Sequence, residues 1–223
     1  MVQPLLSYQV RIITQNTFAL IVLCNIFVGS AGSGSNRFST PYGIALHPTS
    51  GTLYISDYWN HRIMSYPVGI RNGTLIVGGQ GAGTNNTQLN NPIGLHFDLF
   101  SSSLIIANFA AHNVVRYVFG ASSWTLVAGD TNGSWGASAG RFNLLIDVTL
   151  DSMGNMYVAD RSNHRIQFFS DGAVNDTTIA GITSVSARNA TTLNGPWAVR
   201  LDSQLNLYVT DSYNHRIQKF LHY

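Results

Sequence analysis

The sequence predicts an all-β fold built from four repeats, and two observations support this prediction. The first is the motif Asp-x-x-Asn-His-Arg-Ile, which occurs at residues 57–63, 160–166 and 211–217, with a degenerate copy at 108–114. The leading positions 57, 108, 160 and 211 are therefore 51, 52 and 51 residues apart. The second is that short runs of β-branched and aromatic residues recur around each motif without a sustained helical period. A fixed period of this size built from short strands is typical of a β-propeller.

Each repeat contains the same segments in the same order. An apolar first strand is predicted at residues 41–46, 92–97, 145–150 and 196–201. The second strand is predicted at residues 53–56, 104–107, 156–159 and 207–210. The third strand follows the motif, as at 165–169, and a fourth strand that ends on small residues is predicted at 74–79, 125–129 and 178–181. Four strands form one propeller blade. The last repeat ends at its third strand, residues 216–220.

These repeats resemble those of the NHL-repeat proteins, a β-propeller family whose blades carry this Asn-His-Arg-Ile turn and a glycine-rich segment between blades. The resemblance covers roughly residues 26–223, with motif cores at 41–66, 92–117, 145–169 and 196–220. Because propellers of this family typically have six blades, four repeats leave three arrangements open. These are a small closed ring, an open arc, and a fragment of a six-bladed ring. An open arc would expose two blade faces, so a dimer or aggregation is then expected.

The motif residues are predicted to be structural, because they occur once in each blade, whereas a catalytic group is needed once in each site. The Asp is expected to accept hydrogen bonds from backbone N–H groups, and the Asn to take a left-handed turn position. The Arg is expected to return across the hairpin and pair with the Asp. The degenerate copy replaces both charges together, with Asn108 and Asn113, as such a pair requires. The predicted structural set is Asp57, Asn60, His61, Arg62, Asp160, Asn163, His164, Arg165, Asp211, Asn214, His215 and Arg216.

Polar residues that depart from the repeat indicate a candidate ligand site. The first strand of each propeller blade lines the central channel, and polar side chains interrupt the apolar pattern of this strand in three blades. The channel-lining candidates are His96, Asp147, Thr149 and Arg200. They are expected either to bind a ligand or to contact water in the channel. The alternate positions are apolar and are predicted to pack between blades; they are Ile44, Leu95, Val148 and Val199.

The N-terminal segment has two interpretations. Residues 18–28 form an apolar run followed by small residues, which is typical of a signal peptide and is short for a membrane span. Alternatively, residues 26–29 lie where a fourth strand would precede the first repeat, and this strand could complete the last blade. The predicted division is a signal-peptide-like or anchor segment at 1–28 and a propeller at 29–223. Secretion is favoured over a cytoplasmic location, and membrane attachment is expected only if the segment is an uncleaved anchor.

Glycosylation sequences support an extracellular glycoprotein. Five Asn-x-Ser/Thr sequences occur near or between the predicted fourth strands, where a glycan could be tolerated. The candidate residues are Asn72, Asn85, Asn132, Asn175 and Asn189. The single cysteine, Cys24, excludes both an intrachain disulfide and the zinc-ligand spacing of a RING domain.

Composition and motifs restrict the possible functions. The net charge is +2 and no cluster of basic residues occurs, so nucleic acid is not an expected partner. No Gly-x-Ser-x-Gly segment is present, and no nucleophile–base pair can be named. The motif histidines should be spread around the propeller, whereas a metal site needs converging ligands. No cofactor or metal is therefore predicted, and enzymatic activity is not favoured.

The sequence favours a non-catalytic scaffold that binds a protein or glycan ligand through a loop surface. Aromatic residues are its candidate anchors: Tyr58, Trp59, Trp124, Trp135, Trp197 and Tyr213. One alternative is the substrate-binding half of a ubiquitin-ligase or signalling assembly that lacks its RING domain. A second alternative follows from the similarity of the NHL fold to the peptide-amidating lyase. It is a metal-dependent, lyase-like enzyme that uses the central channel, with His96 and Asp147 as possible ligands.

Overall fold

The computed structural model describes residues 30–173 and 176–221, which form four antiparallel sheets, one for each repeat. Blade 1 contains β1 (Pro41–Leu46), β2 (Leu53–Asp57), β3 (Arg62–Tyr66) and β4 (Thr74–Gly78). Blade 2 contains β5 (Pro92–Asp98), β6 (Ser103–Asn108), β7 (Asn113–Val118) and β8 (Thr125–Gly129). Blade 3 contains β9 (Asp147–Leu150), β10 (Met156–Asp160), β11 (Arg165–Phe169) and β12 (Thr177–Gly181). Blade 4 contains β13 (Pro196–Leu201), β14 (Leu207–Asp211) and β15 (Arg216–Phe220).

The strands of each sheet pair in chain order, so every blade is an antiparallel meander. The predicted all-β propeller architecture is confirmed, and blade 4 has three strands in the described part of the chain. Residues 26–29, the predicted candidates for its fourth strand, lie outside the described residues, as does the predicted segment 1–28. Within the described residues, no helix is long and apolar enough to cross a membrane.

The hydrophobic core is divided into layers between successive blades. One layer joins blades 1 and 2 and includes Ile63, Leu95 and Trp124. A second joins blades 2 and 3 and a third joins blades 3 and 4, each built from the same strand positions. The first strands of successive blades pack against one another, β1 with β5, β5 with β9 and β9 with β13.

Between blade 4 and blade 1, the described residues form no buried layer like those that join successive blades. The predicted packing of Leu95, Val148 and Val199 between blades is confirmed, since these residues are at most 5% exposed. For Ile44 the same prediction is wrong within the described part of the chain, because this residue is 50% exposed. At the other end, Ile217 is 71% exposed, although its three counterparts in the other blades are fully buried.

Residues 35–38 cover part of the face of blade 1 that points away from blade 2. Phe38 packs against Met64 and Tyr66 in a small separate cluster that also contains two residues of β2. The Tyr66 hydroxyl donates a hydrogen bond to the backbone carbonyl of Ser35, 2.7 Å away. This segment does not cover Ile44, which stays exposed on β1.

Candidate functional site

The repeated motif forms a buried hydrogen-bonded loop in each blade. In blade 1, Asp57 Oδ1 accepts the backbone N–H of Ser39 at 2.7 Å. Its Oδ2 accepts the Asn60 amide at 2.8 Å and the Arg62 guanidinium at 2.7 Å. The predicted Asp–Arg pair therefore forms here, and it recurs as Asp160–Arg165 at 2.8 Å and Asp211–Arg216 at 2.7 Å. All three carboxylates have no exposed surface.

The degenerate blade keeps the same loop without charge. Asn108 Oδ1 accepts the backbone N–H of Asn90 at 2.7 Å, and its amide donates to Asn113 Oδ1 at 3.1 Å. The Asn113 amide donates to the backbone carbonyl of Asp130 at 2.9 Å. The paired replacement seen in the sequence thus leaves no buried charge alone.

The motif histidine, and not the asparagine, takes the left-handed position. Each turn is one short 3₁₀ helix that the histidine caps at its C-terminal end, and the φ angles of His61, His112, His164 and His215 lie between 51° and 57°. The predicted left-handed asparagine is wrong because its amide lies within the loop. There it bonds the Asp and, in blade 1, also the backbone carbonyl of Gly32 at 2.9 Å.

The motif histidine joins its blade to the next one. His61 Nδ1 accepts the backbone N–H of Asn91 in blade 2 at 3.1 Å. The equivalent bonds run from Leu144 to His112 at 3.0 Å and from Gly195 to His164 at 3.1 Å. Burial lowers the pKa of all three imidazoles, which keeps Nδ1 available as an acceptor.

Sequence reasoning missed this inter-blade role, although a signal was present. The degenerate copy loses the Asp and the Arg but retains His112. A residue that persists when its neighbours change has a partner elsewhere, and here that partner is the next blade.

The predicted channel-lining residues form two separate pairs. His96 Nδ1 lies 3.4 Å from Thr149 Oγ1, which joins β5 to β9. Asp147 Oδ2 accepts the backbone N–H of Val199 at 3.0 Å and pairs with the Arg200 guanidinium at 2.5 Å, which joins β9 to β13. Each pair thus bridges successive first strands, and the Arg200 guanidinium of the second pair helps to lower the pKa of His96 in the first.

Burial controls the protonation of the two titratable members of these pairs. Asp147 is 6% exposed, and burial raises the pKa of its carboxyl, opposed by the Arg200 guanidinium. Burial also lowers the pKa of His96 to about 4, so this imidazole is neutral at pH 7. Among the described residues, no group of three or more His, Cys, Asp or Glu side chains is placed to hold a metal ion.

Asp147 stands where the first two blades have glycine, and close packing explains the difference. A Cβ at Gly43 would lie 1.9 Å from the Ile93 carbonyl oxygen, and a Cβ at Gly94 would lie 2.6 Å from the Asp147 Cα. Successive first strands therefore approach too closely for a side chain in blades 1 and 2. Blade 3 accommodates a carboxylate, which reaches across to blade 4.

Aromatic side chains from different blades meet on the motif-turn face, the end of the blades that carries the motif loops. Tyr58 contacts Tyr42, Trp59 and Phe109, with ring centroids 5.2, 4.8 and 6.1 Å apart. Tyr42 also reaches Trp197 of blade 4, with centroids 6.4 Å apart. We name this group, together with Arg161 and Tyr213 described below, the aromatic patch. Its members are Tyr42, Tyr58, Trp59, Phe109, Arg161, Trp197 and Tyr213.

Arg161 supplies the positive charge of the aromatic patch. Its guanidinium carbon lies 5.6 Å from the Trp197 ring and 5.3 Å from the Tyr213 ring, and Nη2 donates to the Tyr213 hydroxyl. Within the described residues Arg161 makes no ion pair, and its buried Nε has no hydrogen-bond partner. The patch therefore offers a cation beside exposed rings, with no carboxylate of the described chain paired to it.

The predicted aromatic anchors divide into three groups. Tyr58, Trp59, Trp197 and Tyr213 lie in the aromatic patch, and the last three are exposed. Trp135 is exposed outside it. The prediction for Trp124 is wrong, because this side chain packs between blades 1 and 2 and donates from Nε1 to the Gln88 carbonyl at 2.6 Å.

Concave regions lie toward the opposite end of the blades. A groove of about 840 Å³ between blades 2 and 3 is lined by His96, Arg116 and Asp151, among others. A smaller apolar pocket of about 340 Å³ between blades 3 and 4 is lined by residues that include Phe168 and Phe220.

Most of the predicted glycosylation positions are accessible. Asn72, Asn85, Asn132 and Asn189 are exposed, whereas Asn175 lies outside the described residues. Asn189 Oδ1 accepts the backbone N–H groups of Thr191 and Thr192, both at 3.0 Å. Glycosylation and secretion themselves remain predictions.

Comparison with known proteins identifies the repeats. The NHL repeat model matches residues 142–169 and 193–220, which are the cores of blades 3 and 4. NHL repeat-containing protein 3 of Mus musculus is 30% identical over 141 residues, covering 58% of this chain and 39% of that protein. The chain thus spans well under half the length of this curated relative.

Solved structures share the fold at low sequence identity. An auxiliary nutrient binding protein from Bacteroides thetaiotaomicron is 18% identical with a TM-score of 0.65, covering 82% of this chain and 48% of its own. A chain of the nidogen–laminin complex is 18% identical with a TM-score of 0.60, covering 83% and 65%. A gluconolactonase from Xanthomonas campestris is 15% identical with a TM-score of 0.61, covering 83% and 59%.

Proposed function

We propose that this chain, which carries NHL repeats and folds as a β-propeller, is a non-catalytic binding module that holds a protein or glycan partner on its aromatic patch. The observation that carries the proposal is the meeting of aromatic rings from separate blades, two of which contact an arginine that makes no ion pair within the described residues. Exposed aromatic clusters on a soluble domain mark interaction sites. Tyrosine, tryptophan and arginine are also the residues that most often dominate binding energy.

Arg161 gives the patch a preference in ligand charge. An acidic group of the partner would receive charge-assisted hydrogen bonds from the guanidinium while the neighbouring rings cover its apolar part. Two ring contacts already hold the guanidinium in place, so little side-chain freedom is lost on binding. The favoured partner is therefore a glycan or peptide segment that carries a carboxylate or a sulfate.

Structural relatives support a binding scaffold in a general way. One of them is described as an auxiliary nutrient binding protein and another belongs to the nidogen–laminin complex. Because both are under 25% identical, they support the suitability of the fold for binding and do not indicate a ligand. The alternative role as the substrate-binding half of a RING-less ubiquitin-ligase or signalling assembly would use the same surface.

The lyase-like alternative would be located at the other end of the blades. His96 lines the groove between blades 2 and 3, whereas Asp147 is bonded to blade 4 and is not among the lining residues. The two side chains proposed as metal ligands therefore do not face one site. The geometry favours the binding module.

The test compares the wild-type chain with patch variants on a glycan array and a peptide array that both include acidic probes. We expect Trp59→Ala and Tyr213→Ala to weaken binding at least about tenfold, the loss of about 1.4 kcal/mol typical of an interface anchor. Trp135→Ala is the matched control, since it removes an exposed tryptophan outside the patch. The proposal fails if the patch variants bind as well as wild type, or if neither array detects binding by the wild-type chain.

A further inference from the structure

We infer that the groove between blades 2 and 3 binds a basic peptide segment of a partner protein, one in which arginine or lysine accompanies apolar side chains. The groove lies toward the end of the blades opposite the aromatic patch, and the inference is independent of the function proposed for that patch. Its volume of about 840 Å³ is typical of a cleft that holds a ligand. Blade 1 packs against blade 2 and blade 4 packs against blade 3, so the groove is an internal feature of the arc.

Large apolar side chains border the groove at turn positions that are polar in the other two blades. Phe100 of blade 2 and Met153 of blade 3 occupy the same position counted from the first strand, and they are fully exposed and 72% exposed. The equivalent residues of blades 1 and 4 are Thr49 and Gln204. Leu99, also exposed, adds a third apolar side chain to the lining. Exposed apolar side chains around a concave region mark a binding surface.

The charge of the partner follows from the acidic residues that make no ion pair. The chain has ten acidic residues, all in its described part, and six of them make ion pairs there. Three of the remaining four line this groove: Asp98, Asp151 and Asp171. Arg116 is the basic residue of the same lining, and the imidazole of His96 is neutral, so negative charge predominates. A groove with apolar borders and an excess of carboxylates complements a segment that carries both cationic and apolar side chains.

Comparison between blades shows what the carboxylates of the groove lack. At the end of the first strand, three blades carry an aspartate at the same position: Asp98, Asp151 and Asp202. In blade 4 the Asp202 carboxylate lies 3.7 Å from Lys219 Nζ of the third strand. The residue equivalent to Lys219 is Phe168 in blade 3, which has no charge, and Arg116 in blade 2, which makes no ion pair within the described residues. A cationic side chain of the partner would supply to the groove the contact that Lys219 supplies in blade 4.

Hydrogen bonds within the turns hold two of these carboxylates in position. Asp98 Oδ1 accepts the backbone N–H of Phe100 at 3.0 Å. Asp151 Oδ1 accepts the backbone N–H groups of Met153 at 2.9 Å and Asn155 at 3.0 Å. These donors are uncharged, so they fix the carboxylates without supplying a counter-charge. Little side-chain freedom is therefore lost when a cation binds.

A peptide fits this surface better than other occupants. Nucleic acids and acidic lipid headgroups carry negative charge and would be repelled by the carboxylates. A small polyamine would match the charge but has no large side chain to cover Phe100 and Met153. A basic peptide with leucine or phenylalanine residues supplies both groups, and the flexible side chain of Met153 can adapt to different apolar partners.

The experiment screens the full chain against an array of short synthetic peptides that carry arginine or lysine beside leucine or phenylalanine. Each peptide has two control versions, one with glutamate in place of the basic residues and one with serine in place of the apolar residues. The tightest peptide is then titrated by fluorescence anisotropy at low and high salt. Both control versions should bind at least about tenfold more weakly, and high salt should weaken binding because the groove is open to solvent.

Variants of the chain locate the peptide in the groove. A single solvated ion pair changes affinity by at most about fivefold, so the double variant Asp98→Asn/Asp171→Asn is used and should weaken binding about tenfold. Phe100→Ala should weaken binding at least about fivefold through lost apolar contact. The matched control is Asp176→Asn/Asp202→Asn, which changes the net charge equally at two aspartates outside the groove and should leave the Kd unchanged. Circular dichroism checks that each variant is folded.

Four results would overturn the inference. The first is a wild-type chain that binds none of the basic, apolar peptides, and the second is a folded groove double variant that binds as tightly as its matched control. The third is spermine that competes as strongly as the best unlabelled peptide, since a small cation would then be the occupant. The fourth is self-association of the wild-type chain, measured by sedimentation, that the groove double variant abolishes, since a second copy would then occupy the groove.

Discussion

Removal of the Asp160 carboxylate should destabilise the protein strongly, and the structure sets the size of the effect. This carboxylate is fully buried and accepts hydrogen bonds from the Asn143 backbone, the Asn163 amide and the Arg165 guanidinium, each at 2.8 Å. In Asp160→Ala the guanidinium would remain buried without a counter-charge. Breaking one side of a buried ion pair typically costs about 3–5 kcal/mol.

The remaining partners of Arg165 place the expected loss near the lower end of that range. Its guanidinium keeps hydrogen bonds to the Arg141 carbonyl at 2.9 Å and to the Thr183 hydroxyl at 3.2 Å. We therefore expect Asp160→Ala to lower the free energy of unfolding by about 3 kcal/mol, which corresponds to about 6–12 °C in Tm for a chain of this size. Urea and thermal unfolding followed by circular dichroism measure both quantities.

The chain itself supplies the matched control. The double variant Asp160→Asn/Arg165→Asn copies the Asn108–Asn113 arrangement of blade 2, in which no charge is buried. Its loss in the free energy of unfolding should be less than half of the loss in Asp160→Ala. An Asp160→Ala variant with an unfolding free energy within about 0.5 kcal/mol of wild type, the range of an ordinary surface substitution, would contradict a buried ion pair at this position. A double variant as unstable as the single one would contradict it too.

Three further predictions concern the junctions between blades. Asp147→Ala removes the acceptor of a buried backbone N–H and should cost about 1–3 kcal/mol; an unchanged Tm would instead indicate a water-filled channel around this residue. His164→Ala should cost about 1–2 kcal/mol more than His215→Ala, measured on monomers. Both histidines have positive φ, but only His164 bonds the next blade, and equal losses would contradict the junction role. Because the folded pKa of His96 is about 4 and lies below its unfolded value, stability should be complete above about pH 6.5 and fall as the pH decreases toward 4. The lowered pKa values of the three junction histidines act in the same direction, and a urea midpoint that stays constant over this interval would contradict the prediction.

The repeat made the fold predictable from the sequence. A period near 51 residues placed every first strand within two residues of its observed start, because each blade repeats the same order of strands and the same motif turn. The Asp–Arg pair was also predictable, since the degenerate copy replaces both partners together. The left-handed position was assigned to the wrong residue because both Asn and His occur in each turn, and only the side-chain hydrogen bonds distinguish them.

The candidate site was less predictable, because it depends on how blades are placed relative to one another. Tyr42 and Trp197 belong to repeats more than 150 residues apart, and their contact depends on the curvature of the arc. Arg161 could not be recognised as a member of the patch, since the sequence places it at an ordinary turn position. The exposure of Ile44 could not be predicted either, because whether blade 1 is covered depends on closure of the arc.

The claim that the aromatic patch holds the partner can be tested with one binding measurement. Calorimetric titration of the tightest acidic array probe should be made with the wild-type chain, Arg161→Gln and Trp135→Ala. We predict that Arg161→Gln weakens binding at least about tenfold, while Trp135→Ala leaves the Kd unchanged. Equal affinities for the wild-type chain and Arg161→Gln would contradict the claim.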